Sequence, residues 1–273
     1  MLFLGRTLDE PPNFLNSLSF HLGIKYCALQ PIWEGLNSGL WVKEELLQIQ
    51  EILGRIQLLE MTQRTLDGKR CSFNAGIENL RHIKEKGFLA SFSDLETQVF
   101  GSISRSERKW LLRNQVPINR VMLDISESLI DPVAHRFYPR NEIKAKALLA
   151  GLGMPADLSF LEKHIYLGMI LTGSAETQAA IDQAWIACQL ELHMLEHNQY
   201  PKALGELEAD LPTDITTGKS YHYSLTEDGR YKLWSLAWNQ TDEGGKLMEN
   251  YSRKNNADDW VWQYTPAIAK DED

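Results

Sequence analysis

Cysteine is scarce in this sequence of 273 residues: Cys27, Cys71 and Cys188 are far apart and odd in number. Such spacing predicts neither a disulfide framework nor a paired-cysteine zinc site. Cys188 lies on the apolar face of a predicted helix, so we expect a buried free thiol there.

Long apolar runs are also lacking. No stretch reaches the ~18 apolar residues that a membrane-spanning helix needs. The first residues, "MLFLGRTLDEPP", lack the apolar core of a signal peptide. Two locations therefore stay open. The protein is cytoplasmic, or it is periplasmic or envelope-associated with its chain beginning downstream of a targeting segment or membrane anchor.

Basic residues are few in the last hundred positions. From Gly173 onward, 8 Lys and Arg stand against 18 Asp and Glu, a net charge of −10, whereas the preceding part has 20 against 19. Because phosphate binding needs clustered Lys and Arg, a nucleic-acid partner is not expected there. The motifs G-x-S-x-G, G-x-x-x-x-G-K and G-x-G-x-x-G are absent, so common hydrolase and nucleotide-binding loops have no support.

Apolar residues at helical spacing predict a mostly helical region over residues 1–172. One predicted helix contains the stripe Leu46, Ile49, Leu53, Ile56 and Leu59, with Gly68 as its expected end. Three helix starts are predicted by capping-box pairs, namely Ser93 with Glu96, Ser104 with Glu107, and Ser159 with Glu162.

Two prolines shape the expectations for the middle of the chain. Pro117 suits the first turn of a helix whose buried face carries Val121, Ile125 and Leu129, or Met122. The segment "DPVAHRFYPRNE" contains two further prolines and is predicted to be a loop.

The pattern changes near Gly173. "ETQAAIDQAWIACQLELHMLEHNQY" predicts one long helix that ends before Pro201. "PKALGELEAD" predicts a short helix or turn, and "SYHYSL" and "RYKLWSL" alternate as strands around a turn at Gly229. "DDWVWQY" predicts a last strand. We therefore predict an α+β fold, in which a helical domain (1–172) precedes a module (173–273) with a long helix packed on a small antiparallel sheet.

Four segments in this order resemble the globular domain of the type II secretion system major pseudopilin: "LELHMLEHNQYP", "LPTDITTGKSYHYSL", "LWSLAWNQTDEGG" and "NADDWVW". The resemblance covers roughly residues 173–264. The whole chain resembles uncharacterised bacterial proteins that append such a module to a helical N-terminal region. The resemblance implies a non-enzymatic structural or interaction protein of the bacterial envelope, with protein partners or self-association. The prepilin peptidase site and the apolar helix of that family are missing, so filament assembly is not implied.

The same resemblance implies a calcium site in the acidic loop 238–259. The matching side chains are Asn239, Asp242, Asp258 and Asp259, with the Leu236 carbonyl as a main-chain ligand. Asn239 stands where the family has an aspartate, and its uncharged oxygen lowers the expected calcium affinity. The alternative is a solvated acidic loop that Trp238, Trp260 and Trp262 hold in place without an ion.

Two other functions remain as alternatives. "HMLEH", from His193 to His197, matches the H-x-x-E-H motif of a zinc hydrolase, with Glu196 as general base. The resembling proteins carry Tyr and Ala at the positions of His193 and Glu196, so we expect the match to be accidental. The Trp-rich end could also receive a peptide or glycan. Core positions are nonetheless the expectation for Trp110, Trp185, Trp234 and Trp260.

Overall fold

The computed structural model describes residues 15–81, 104–159, 168–246 and 259–263. Its α-helices are α1 (Leu15–Asn37), α2 (Lys43–Gly54), α3 (Leu58–Asn79), α4 (Arg105–Leu129), α5 (Glu142–Gly151) and α6 (Gly168–His197). Its strands are β1 (Ile130–Asp131), β2 (Arg136–Phe137), β3 (His222–Leu225), β4 (Tyr231–Ser235) and β5 (Trp260–Gln263). Short 3-10 turns cover Pro139–Asn141, Ala156–Leu158 and Leu204–Glu206. The predicted α+β class, with a long helix on a small antiparallel sheet, is confirmed.

The prediction of one helix through the stripe Leu46 to Leu59, ending at Gly68, is wrong, because two helices cover this segment and the second passes Gly68. Helix α2 ends at Gly54, α3 begins at Leu58, and α3 continues through Gly68 to Asn79. The break is stabilised from outside, because Gln178 Oε1 on α6 accepts the open Leu58 N–H at 3.0 Å. Gly68 costs helix stability without ending the helix.

Helix α4 begins with the predicted capping box. Ser104 Oγ accepts the Glu107 N–H at 3.3 Å, and the Glu107 carboxylate accepts the Ser104 N–H. Val121, Met122, Ile125 and Leu129 are buried as predicted. The expected place of Pro117 is wrong, since it lies inside the helix rather than in its first turn.

The other two predicted capping boxes stay predictions. The pair Ser93 and Glu96 lies outside the described residues, as does Glu162. Ser159 itself follows the 3-10 turn Ala156–Leu158.

The segment "DPVAHRFYPRNE" was expected to be a loop, and part of it forms a sheet. Ile130 pairs with Phe137 and Asp131 with Arg136, so β1 and β2 make a short antiparallel ladder. His135 turns the chain with a φ of 51°. The Phe137 N–H donates to the Ile215 carbonyl at 2.8 Å. The extra hydrogen bond with a distant segment explains why local residue preferences did not predict this hairpin.

The second sheet has the order β3-β4-β5, with all pairs antiparallel. Tyr223 lies opposite Leu233, which in turn lies opposite Trp262. Gly229 has a φ of 78° in the predicted turn, a backbone conformation that glycine adopts without strain. The hairpin and the last strand are thus confirmed.

Helix α6 carries a buried polar cluster that connects it to the β1–β2 turn and to the segment before β3. Asp182 accepts hydrogen bonds from Gln178 at 2.9 Å and from the Tyr221 hydroxyl at 3.1 Å. His135 Nε2 lies 3.6 Å from Asp182 Oδ2, the oxygen that also accepts the Tyr221 hydroxyl, and this contact raises the histidine pKa. Burial raises the pKa of Asp182 itself. The cluster links the β1–β2 turn, α6 and the segment before β3.

Two apolar core clusters lie side by side along α6. One joins α3, α4, α5 and the first half of α6, and it includes Trp238. The other joins α1, α2, the second half of α6 and the sheet β3-β4-β5. Both clusters contain residues from either side of position 172, and the division of the chain into domains there stays a prediction.

Cys188 lies in the second cluster as a buried free thiol, as predicted, and burial raises its pKa to about 12. None of the helices in the described part of the chain is long and apolar enough to cross a membrane.

Candidate functional site

The acidic loop leaves β4 through a tight turn. Ala237 and Gln240 have φ values of 51° and 57°, a left-handed conformation that is uncommon outside glycine. The Gln240 N–H donates to the Leu236 carbonyl at 3.1 Å, and the Leu236 N–H donates to buried Asp214 at 3.2 Å. The carbonyl predicted as a calcium ligand therefore closes this turn with one of its two lone pairs.

Asn239 and Asp242 shape the exposed side of the loop. Asn239 Oδ1 accepts the Thr241 N–H at 2.9 Å. Asp242 Oδ1 accepts the Gly244 N–H at 2.8 Å and the Trp234 indole N–H at 3.1 Å. The pKa of Asp242 is lowered, and the hydrogen bond from the Gly244 N–H is the largest cause. Its other oxygen lies 3.5 Å from His222 Nδ1 on β3.

Asp259 lies on the inner side of the same loop. It is 6% exposed, and its Oδ2 accepts the N–H groups of Glu243 at 3.1 Å and of Gly245 at 2.8 Å. Its Oδ1 is buried without a hydrogen-bond partner, and so is Oε2 of Glu243. Burial and the neighbouring Glu243 carboxyl raise the pKa of Asp259 to about 6. Two carboxyl groups thus share a protected place and leave two acceptor oxygens unused.

Such a pair is unstable as two bare anions, because burial and like charge both penalise ionisation. A shared proton or a bound cation removes the conflict. Oxygen donors of this kind are what calcium prefers, and calcium accepts irregular ligand geometry. Among the described loop residues, Glu243 and Asp259 each have a buried side-chain oxygen without a partner, and such oxygens suit a hard cation.

The structure places the predicted ligand side chains in different surroundings. Asp259 contributes an unused buried oxygen. Asn239 lies beside Glu243, because its Nδ2 donates to Glu243 Oε1 at 3.1 Å. Asp242 instead faces Trp234 and His222, and Asp258 lies outside the described residues.

Glu243 was missed by the sequence reasoning. Glu243 directly follows Asp242, and its position in the sequence gave no sign of a contact with Asp259, 16 residues later. In the structure its backbone N–H donates to Asp259, and its carboxyl group raises the pKa of Asp259. The glycine pair Gly244–Gly245 was the available signal. A Cβ at Gly245 would lie 2.8 Å from the Trp234 ring, so the backbone there approaches β4 closely.

Tryptophans hold the loop against the body of the protein. Trp238 is buried, packs against Phe137 and donates to Glu142 Oε2 at 3.0 Å. Trp234 is buried beneath Gly245, and Trp262 is buried in the second cluster. Trp110 and Trp260 pack on the first cluster and Trp185 on the second, so the four tryptophans predicted for the core contribute to it.

The H-x-x-E-H residues are engaged in other contacts. His193 Nδ1 lies 2.9 Å from the Gln199 carbonyl, and its ring lies 4.3 Å from that of His197. The Glu196 carboxylate pairs with Lys43 Nζ at 2.6 Å. Within the ranges that the structure describes, no three His, Cys, Asp or Glu side chains are grouped to hold a metal ion. No observation favours the zinc-hydrolase alternative.

Similarity to known proteins does not identify a function for this loop. Comparisons of the chain with protein-family models, with curated proteins and with solved structures give no match.

Proposed function

We propose that this protein is a non-enzymatic structural or interaction protein, related to type II secretion pseudopilins, whose acidic loop is stabilised by calcium. One observation carries the calcium proposal: the buried, unpartnered oxygens Asp259 Oδ1 and Glu243 Oε2. Leaving two such acceptors unpaired is costly, and a divalent cation would satisfy both. Glu243 and Asp259 would hold the ion, together with main-chain oxygens and with Asn239, Asp242 or Asp258 from the resemblance.

The ion would act on the position of the last strand. Asp259 precedes β5, whose Trp260 carbonyl accepts a hydrogen bond of 2.7 Å from Gln183 on α6. An ion bound only by the ordered loop stabilises the folded state by mass action. Calcium would therefore hold β5 on both β4 and α6. The envelope location implied by the resemblance would supply that calcium.

The experiment is thermal unfolding of the whole protein in millimolar calcium and in chelator. We expect calcium to raise the Tm, because calcium at about 100 times its Kd adds about 2.7 kcal/mol. Each kcal/mol corresponds to about 2–4 °C in a protein of this size. Asp259→Asn and Glu243→Gln should each remove the calcium-dependent difference, because each deletes one of the two charges.

Glu227→Gln is the matched control, since it removes an exposed acidic charge in the β3–β4 turn and should keep the full shift. Asp242→Ala distinguishes the two ligand sets. If the variant loses the Tm difference between calcium and chelator, Asp242 is a calcium ligand. If its Tm is lower but the difference remains, Asp242 stabilises only the turn. An identical wild-type Tm in calcium and chelator, with no heat in calorimetric titration, would exclude the ion.

A further inference from the structure

An apolar groove runs along the surface between α4 and α5. Its volume is about 510 Å³, and its lining includes the apolar Pro117, Val121, Leu148 and Leu152 and the basic Arg120 and Lys144. Val116 and Ile143, one on each helix, are 77% and 79% exposed. Apolar surface next to cations is suited to a segment that presents an apolar side chain beside carboxylates.

Positive charge extends along the same face of α4. Lys109, Arg113, Val116 and Arg120 follow one another at steps of four, three and four residues, which places them on one side of the helix. Arg120 has an exposed neighbour, Asp124, at 3.8 Å, and such surface pairs are weak. Among the described residues, Lys109, Arg113 and Lys144 have no ion pair. This face is thus basic in a chain whose net charge is −9.

The complementary feature is the tip of the β3–β4 hairpin. Leu225 is 45% exposed there, directly before the acidic turn with Glu227 and Asp228. The tip is well defined, because the Thr226 N–H donates to the Arg230 carbonyl at 2.9 Å and the Gly229 N–H to the Thr226 carbonyl at 3.0 Å. One leucine beside two carboxylates is the pattern that the groove would recognise.

The tip and the groove belong to different parts of the fold. The hairpin is built on the second core cluster, and Arg230 fastens it to Asn37 at the end of α1 at 2.7 Å. The groove lies over the first cluster, between α4 and α5. A chain that displays both surfaces at separate places can join a second copy head to tail.

We propose that the hairpin tip of one copy docks in the α4–α5 groove of a second copy. Leu225 contacts the apolar lining, and Glu227 and Asp228 face Lys144 and Arg120. The contact is heterologous, so it produces open chains or a ring rather than a closed two-fold dimer. One leucine and two ion pairs bury far less than the roughly 1,600 Å² of a standard interface, so the association is weak and sensitive to salt. This proposal is independent of calcium binding.

Sedimentation velocity of the whole protein over a range of concentrations tests it. At low salt, about 50 mM, we expect the average mass to rise with concentration. At about 500 mM salt the rise should disappear, because screening shortens the range of the ion pairs. Lys144→Glu and Glu227→Lys should each weaken the association about tenfold or more, by placing like charges opposite each other.

The charge-swapped double variant Lys144→Glu/Glu227→Lys keeps the wild-type net charge and should restore the association. Leu225→Ser should weaken it without any change in charge. Exposed positions outside the contact provide matched controls, in which Lys202→Glu and Glu208→Lys should leave the association unchanged. The proposal is overturned by a wild-type monomer at every concentration in low salt. It is also overturned if the two single variants associate like wild type, or if the double variant fails to recover.

Discussion

At the scale of single residues, Asp214 organises the end of β4. Its side chain is fully buried, and Oδ1 accepts the Thr216 N–H and hydroxyl, both at 2.8 Å. Its Oδ2 accepts the Leu236 N–H at 3.2 Å, just before the turn of the acidic loop. One carboxylate therefore connects the turn before β3 to the start of the candidate site.

Asp214→Ala should be strongly destabilising. It would leave buried N–H groups without acceptors, and each such group costs about 1–3 kcal/mol. We expect the free energy of unfolding, measured in urea, to fall by about 3 kcal/mol or more, with a Tm lowered by about 6–12 °C. Asp210→Ala, at a nearby exposed position, should stay within about 0.5 kcal/mol. Equal stability of the two variants would show that the buried hydrogen bonds contribute little.

Single residues also show why the sequence pointed to Asp259 but not to Glu243. Asp259 was predicted as a ligand because it precedes Trp260 in a segment that resembles the pseudopilin loop. Glu243 was not predicted, because its place in the site depends on hydrogen bonds from the Glu243 and Gly245 N–H groups to Asp259, which is distant in the chain. No spacing rule connects residues that lie 16 positions apart in the chain.

At the scale of elements, α4 shows how tertiary packing overrides a local signal. Pro117 cannot donate a backbone hydrogen bond and clashes with the preceding turn, so it usually starts helices. Here the capping box at Ser104 starts the helix, and the buried stripe from Leu111 to Leu129 continues on both sides of the proline. Burial of that stripe outweighs the cost of one exposed proline.

Pro117→Ala should consequently stabilise the protein. An interior proline costs a helix about 3 kcal/mol, which the substitution recovers. Alanine also gives the unfolded chain more freedom, and this lowers the net gain by about 0.4–1 kcal/mol. We expect the free energy of unfolding to rise by about 2 kcal/mol, visible as a higher Tm in circular dichroism. Val116→Ala, one residue earlier and also exposed, should change it by a few tenths. A Tm lowered by Pro117→Ala would mean that α4 needs the proline.

At the scale of the whole molecule, α6 is shared between the predicted helical domain and the module. Gln50 on α2 donates to the Trp185 carbonyl and accepts from Gln189, both at 3.1 Å. Thr62 on α3 donates to Ser174 at 2.9 Å. These hydrogen bonds lie beside apolar contacts of both clusters. The long helix therefore needs α1–α3 to cover the side that the sheet leaves open.

The fragment 173–273, produced alone, should accordingly lack a cooperative unfolding transition and bind a hydrophobic dye. The intact chain should unfold in one transition, because both core clusters span the boundary. Co-expression of the fragment with residues 1–172 should restore a folded complex. A cooperative transition of the fragment alone, with no dye binding, would instead establish the module as an independent domain.

The sequence by itself determined the local elements: the long helix, the hairpin turning at Gly229, the capping box at Ser104 and hence the α+β class. Periodicity, capping and turn chemistry depend on neighbours a few residues apart, so they can be read directly. Only the tertiary structure decided where α2 ends, since Gln178 stabilises that break from α6. It also decided that Glu243 and Asp259 bury their carboxyl groups together. Burial and long-range pairing arise only when distant segments pack, and here they leave the two carboxyl oxygens without partners on which the calcium proposal rests.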